Sequence, residues 1–236
     1  MKTIGPMISI LVGILLWGIA AGRVSDVILP SLESVFQNVY LIVTTPENLR
    51  AIGITASRLA AGWVLAAGIG VTLGLVMGLV PLAQTLLQPY VVLVQSIPRV
   101  SWILLALFWF GIDGSVVIFL LVMTIVPFFV VNVAESIRGV QEERREFMEA
   151  YRLPTLVRIT DVYLPAVSLA LRSAATLSLS VGWKAVVMAE LLAAPDGIGA
   201  GLSWAQGSFD TSMVMAWTVV ISTVALLSHA AFRKMA

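Results

Sequence analysis

The sequence predicts an all-α integral membrane protein, a six-span helical bundle with both termini in the cytoplasm. Three observations predict it. Hydrophobic residues make up 59% of the 236-residue chain and charged residues 11%, against about 25% charged in ordinary globular chains. The mean hydropathy of +1.00 makes lipid the solvent for most of the surface. The apolar residues fall into runs of about 20, the length of helix that crosses a bilayer core, where the backbone must satisfy its own hydrogen bonds. Lys and Arg gather in the connections that a six-span path puts on one side, and positive loops stay cytoplasmic.

In chain order, the first span covers residues 4–21. Lys2 and the small residues Ala20, Ala21 and Gly22 also fit a cleaved signal segment, whereas Trp17 fits an interface anchor of a retained span. Residues 22–55 form an outward segment, and over 27–43 apolar residues alternate with Glu33, Gln37 and Asn38, as in an amphipathic surface helix. From Leu59 to Pro98 there is no charged side chain, too long a stretch for one crossing. Pro81, Gln84, Gln88 and Pro89 break it into spans at 56–80 and 85–111 joined by a tight hairpin. Spans follow at 114–134, 166–191 and 211–232. The 135–163 connection holds Arg138, Arg144, Arg145, Arg152 and Arg158, and the tail ends in Arg233 and Lys234. Together with Lys2 these set the orientation, diluted by Arg23 and Arg50. Residues 1–236 form a single membrane domain without repeats.

Several function classes lack their residues. There is no cysteine and one histidine, His229, so thiolate and imidazole metal clusters are excluded. A net charge of +1 without a basic, aromatic-studded patch leaves nucleic acid no footprint. The glycines of residues 196–201 follow a span on the outward side and lack the strand and Lys of a nucleotide loop, so they read as a close-packed re-entrant turn. His229, near the inner end of the last span, reads as an interface residue.

Polar residues inside spans need a reason. Arg58, Gly62, Ala66, Gly70, Gly74 and Gly78 recur every fourth residue and form a small-residue packing face. Gln95 and Arg99 lie in the third span, Arg99 about 21 Å along it at 1.5 Å per residue from Thr85. A charge at that depth costs at least about 2.5–3.5 kcal/mol and faces the bundle interior or a wet path. Two readings stand: a pathway cation, or a structural Arg tied to carbonyls or Glu190. In the fifth span Ser173, Thr176, Ser180 and Lys184 form one hydroxyl-rich stripe, which is either a pore wall or a set of back-bonded hydroxyls with a snorkelling Lys. Glu190 is the countercharge for Lys184. Two deep cations against one carboxylate favour an anionic permeant.

The cytoplasmic segment carries most of the remaining charge. Phe147, Ala150 and Tyr151 share one helical face and Glu142, Arg145, Glu146 and Glu149 the other. Apolar knobs on a charged rim suit docking to a partner, or a surface helix on the headgroups.

Here the chain resembles the permease subunits of type I ATP-binding-cassette importers. Their coupling motif is Glu-Ala-Ala, three residues, Gly, nine residues, Ile, one residue, Leu-Pro. Counting back from Leu164 and Pro165 aligns Glu146, Phe147 and Met148 with the triplet, Arg152 with the Gly and Val162 with the Ile. Both alanines and the glycine are replaced. Ser57-Arg58 with Gly62, the run from Gln95 to Arg99, Trp109-Phe110-Gly111-Ile112, Asn132 with Gly139, Trp183-Lys184, Ala189-Glu190 and Gly197-Ile198-Gly199 are similar to the nitrate, sulfonate, taurine and bicarbonate branch.

The resemblance implies a transport subunit in a prokaryotic inner membrane with no catalytic site, metal or cofactor of its own. It implies a second permease copy, in a homodimer, a cytoplasmic ATPase dimer that uses ATP and Mg, and an external substrate-binding protein. Glu146, Phe147, Met148, Glu149, Ala150, Tyr151, Arg152, Leu153 and Pro154 would couple the ATPase to the spans. Gln95, Arg99, Ser173, Thr176, Ser180, Lys184 and Glu190 are the candidates for the translocation path. Nitrate, an alkanesulfonate, bicarbonate and an uncharged vitamin precursor all remain as solutes. The alternatives are an ion-coupled secondary transporter, which should show repeats and buried carboxylates, and a non-transporting membrane scaffold.

Overall fold

The computed structural model describes residues 4–151 and 154–235, with the backbone only for 4–11, 141–147, 149, 155 and 235. No strand occurs among the described residues. The order is α1 (Ile4–Ala21), α2 (Leu32–Thr44), α3 (Pro46–Leu79), α4 (Pro81–Ser96), α5 (Arg99–Phe110), α6 (Gly114–Ala150), α7 (Thr155–Val157), a π-helical turn (Arg158–Tyr163), α8 (Leu164–Ala193), α9 (Ile198–Gly207) and α10 (Thr211–Met235).

Among the described residues, four helical stretches are long and apolar enough to cross a membrane: α3, the first part of α6, the stretch through α8, and α10. The bent pair α4 and α5 makes a fifth if taken as one crossing. Packing shows why it is one. Side chains added at Gly62, Gly70, Gly74 and Gly78 of α3 would strike Leu121, Phe129, Val133 and Ile137 of α6, in that order. The partner numbers rise together, so α3 and α6 run parallel, and the chain between them must return to its starting side. The small-residue face is thus a contact with α6, where missing side chains let the helices approach closely.

The third span departs from the straight helix expected over 85–111. It breaks at Ile97 and Pro98, and α4 and α5 meet at 95°. A residue before proline is pushed out of the helical region, and Ile97 has ψ 127°. Arg99 therefore sits on a bend, and its depth does not follow from counting along one helix.

The second span begins earlier than expected, at Pro46, whose fixed φ suits a first helical position, with Glu47 beside the positive helix end. The fourth span and the charged segment after it are one continuous α6 of 37 residues, because residues 135–150 are mostly strong helix formers. Beyond α6 the chain returns through α7, and the π-helical turn leads to Pro165, whose ring disrupts a regular ladder there.

The core lies where α3, α6 and α8 meet, around Leu59, Leu121, Ile125, Phe129 and Trp183. Helix α8 runs antiparallel to both: Gly182 meets Leu59 and Ile125, and Glu190 meets Thr55. Helix α10 returns beside it, with Trp183 Nε1 donating to Ser228 Oγ at 2.7 Å. Arg138, Arg158, Arg233 and Lys234 consequently lie at one end of the bundle, the grouping that the charge pattern calls for. At the opposite end the amphipathic α2, capped by Ser31, packs Ile42 beside Trp217 and Ile198. Helix α1 is tied to the outward segment by Trp17 Nε1, which donates to the Pro30 carbonyl at 3.0 Å.

Candidate functional site

Three polar features interrupt the apolar bundle. The first joins α3, α8 and α9 at the end of the bundle away from Arg138, Arg158 and Arg233. Arg58 Nη1 donates to Glu190 Oε1 at 2.9 Å and to the Asp196 carbonyl at 3.0 Å, and its Nη2 donates to Asp196 Oδ1. Glu190 Oε2 accepts from Thr55 Oγ1 at 2.7 Å and from the Gly199 N–H at 3.1 Å. Thr55 Oγ1 also accepts from the Ile198 N–H at 2.9 Å. A buried carboxylate is tolerable only when paired and hydrogen-bonded, and this one is fully enclosed. Gly197, at φ +99°, and Gly199 are required because any side chain there would meet Glu190. The turn at 196–201 is thus folded around a carboxylate. Beside it, Asp113 caps α6 by accepting from the Ser115 N–H at 2.8 Å. That bond holds its carboxyl below the usual range, with smaller help from Arg58.

This corrects the place expected for Glu190. It is neither on an open path nor the partner of Lys184, because Arg58, Thr55 and the α9 backbone use its acceptors. Arg58, grouped with the packing residues in the sequence, is the cation it serves.

The second feature is the stripe on α8. Ser173, Ser180 and Lys184 are exposed and Thr176 is half-exposed. The hydroxyls bond back along the helix, Ser173 to the Leu169 carbonyl at 3.2 Å and Thr176 to the Arg172 carbonyl at 2.8 Å. Back-bonding uses the hydroxyl hydrogens and leaves their oxygens able to accept, so the stripe stays polar. Ser180 and Lys184 line a groove of about 730 Å³ between α8 and α10, opposite Thr218, Ser222 and His229. His229, expected as an interface residue, faces this groove, and its Nδ1 is buried without a protein partner.

The third feature is at the α4–α5 bend, where Gln95 and Arg99 line a cavity of about 250 Å³ against α6. Trp102 and Thr124 complete its polar wall. Within one copy of the chain, therefore, Arg99 and Lys184 serve different cavities rather than one.

At the opposite end of the bundle, Met148 is buried, and its carbonyl accepts from Arg158 Nη2 at 3.3 Å. Ala150, Tyr151 and Pro154 are exposed, as are Leu156 and Ile159 just beyond. The coupling candidates Arg152 and Leu153, and the side chains of Glu146, Phe147 and Glu149, lie outside the described residues.

The sequence pattern of the family described as "Binding-protein-dependent transport system inner membrane component" matches residues 70–234, well over half of the chain. The chain belongs to that family. This permease is 25% identical over 222 residues to a Bacillus subtilis protein named as an aliphatic sulfonates transport permease, SsuC, covering 93% of this chain and 80% of that one. It is 24% identical over 226 residues to the Escherichia coli taurine transport system permease TauC, covering 93% and 82%. It is 25% identical over 212 residues to the nitrate import permease NrtB of Leptolyngbya laminosa, covering 89% and 76%. The permease is thus a multi-pass inner-membrane transport subunit of an ABC importer, from a family whose transport depends on a binding protein.

Several residues of these features escaped sequence reasoning, Thr55, Asp196, Trp102 and Thr124 among them. Thr55 and Asp196 carry no signal beyond lying near charges, and their roles depend on α9 folding back. Trp102 and Thr124 read as an ordinary aromatic and an ordinary span hydroxyl until the bend brings them together.

Proposed function

We propose that two copies of this permease form the path of an ATP-driven importer for a small anionic solute. The α8 stripe and the α4–α5 bend line the path, and a cytoplasmic ATPase dimer drives it with ATP and Mg. An external binding protein delivers the solute. The membrane domain has six crossings, α1 being the first, and both ends of the chain are cytoplasmic.

The observation that carries this reading is the overhang of α6. Its 37 residues extend about 55 Å at 1.5 Å per residue, against a hydrocarbon core of about 30 Å. The excess carries Gln141 to Glu149, then turns back through Tyr151 into α8. Because α6 and α8 share the core, a push on the end of α6 reaches the helix bearing the stripe through their packed side chains. The exposed Tyr151, Leu156 and Ile159 beside a charged rim suit seating in a groove on an ATPase. In such a path, Arg99 and Lys184 favour an anion, in keeping with relatives named for sulfonates, taurine and nitrate. The chain itself performs no chemistry in this scheme.

The test is co-purification in mild detergent of tagged permease co-expressed with the ABC ATPase from its own host. Wild type should retain the ATPase in stoichiometric amounts, and a Glu146→Arg, Phe147→Asp double variant of equal folded yield should lose it. Equal retention by both would remove the coupling role from this segment.

A further inference from the structure

The cavity at the α4–α5 bend has a donor set that its surroundings do not use. Gln95, Arg99, Trp102 and Thr124 are on its wall, and no carboxylate is. Trp102 Nε1 and Thr124 Oγ1 are both buried without a protein partner. An indole N–H can only donate, and leaving a buried donor unpaired is destabilising. Thr124 is conspicuous among its kind. The hydroxyls of Thr72, Thr85, Thr176, Thr218 and Thr223 each bond back to the carbonyl four residues earlier, and that of Thr124 does not. One guanidinium with neutral donors around it, away from any acid, is the chemistry that receives an oxyanion.

A second cavity, of about 290 Å³, adjoins the first through the shared lining residues Val94, Met123 and Pro127. It lies between α3, α4 and α6 and is apolar, with Ile69, Leu73, Leu87, Val91, Val126 and Val130 on its walls. A molecule occupying both cavities has an acid group at one end and a short hydrocarbon at the other.

We propose that the bend is a solute-selecting site within the permease, which holds the acid group of a small organic anion on Arg99, Trp102 and Thr124 and its alkyl tail in the adjoining apolar cavity. This rests on the transport reading above and gives its path a chemical preference independent of the external binding protein. Nitrate, which has no tail, fills only half of the site. The headgroup phosphate of an anionic lipid shares the chemistry of the head, and the test separates the two sources.

The experiment is equilibrium binding of radiolabelled 1-butanesulfonate to purified permease with its ATPase in phosphatidylcholine nanodiscs, without binding protein. Butanesulfonate should bind at least about tenfold more tightly than methanesulfonate or nitrate, since each buried methylene adds several-fold, and butyltrimethylammonium should not compete. Arg99→Gln, Trp102→Phe and Thr124→Val should each weaken it about tenfold, because each removes a bond to a charged group. Val126→Trp should weaken butanesulfonate and leave methanesulfonate unchanged, a split that general misfolding would not give. Absence of binding to wild type, binding unaltered by Trp102→Phe and Thr124→Val, or equal binding of butanesulfonate and nitrate would overturn the proposal. So would loss of binding in phosphatidylglycerol nanodiscs, which would assign the site to lipid. ATP-driven uptake by the same proteins reconstituted in liposomes, with the binding protein outside and ATP trapped inside, separates the outcomes: uptake without binding sinks this site alone, and loss of both sinks the transport reading.

Discussion

Arg58 and Glu190, 132 residues apart in the chain, meet at 2.9 Å where α3 and α8 pack together. The carboxylate is fully enclosed and the guanidinium nearly so. Removing one member of a buried pair strands the other, at about 3–5 kcal/mol. Arg58→Met and Glu190→Leu should therefore each lower the midpoint of thermal unfolding in detergent substantially. Arg58→Lys should fall between them and wild type, because an ammonium cannot serve Glu190 and Asp196 with the same planar fork. An Arg58→Met protein that melts like wild type would mean that the pair does not hold α3 to α8.

The glycines separate by what surrounds them. A Cβ at Gly199 would lie 2.5 Å from Glu190 Cβ, the Leu191 nitrogen and the Val187 carbonyl, none of which can move alone. A Cβ at Gly182 would meet the methyl ends of Leu59 and Ile125, which rotate. Gly199→Ala should cost about 3 kcal/mol or more, at or above the top of the ~1–3 kcal/mol of ordinary overpacking because the brace must open, whereas Gly182→Ala should cost about 1 kcal/mol or less. Folded yield and thermal midpoint check the order.

Lys184 is the one cation on the α8 stripe, facing Thr218 and Ser222 across the groove. Lys184→Gln should lower anion uptake about tenfold with little change in melting temperature, since an exposed Lys contributes little to stability. Lys184→Arg should restore most of the rate. A variant that transports normally would remove Lys184 from the path.

Asp210 starts α10 by accepting from Ser212 Oγ at 2.7 Å and the Met213 N–H at 3.0 Å. These bonds hold its carboxyl below the ordinary range, the Ser212 hydroxyl most. A carboxyl with a lowered folded pKa stabilises the fold above its unfolded pKa and ceases to as pH falls through the folded one. Asp210→Ala should cost about 1 kcal/mol at neutral pH and nothing below the folded pKa. Melting curves of both proteins from neutral to strongly acidic pH should converge at the acid end.

Much of the architecture was legible because lipid imposes a coarse rule: runs without charge become helices, and glycine every fourth residue becomes a helix contact. Pro98 and the pre-proline Ile97 were visible, but a proline alone does not say whether a helix kinks gently or turns through a right angle. Arg99 was therefore recognised as exceptional and misplaced in depth. Sequence proximity pairs Glu190 with the nearest deep cation, Lys184, because the reach of Arg58 depends on α9 folding back over the end of α8. The unpaired donors of Trp102 and Thr124 leave no trace in a sequence, since being unpaired is a property of neighbours.

The central claim is that ATP hydrolysed by a partner, and no ion gradient, drives anions through this permease. The most direct measurement reconstitutes the permease and its ATPase in liposomes, with the binding protein outside and ATP trapped inside, and follows radiolabelled anion accumulation with proton and sodium gradients collapsed. The account predicts accumulation that requires the trapped ATP and stops with the Glu146→Arg, Phe147→Asp variant. Accumulation that proceeds without ATP and follows an imposed ion gradient would contradict it.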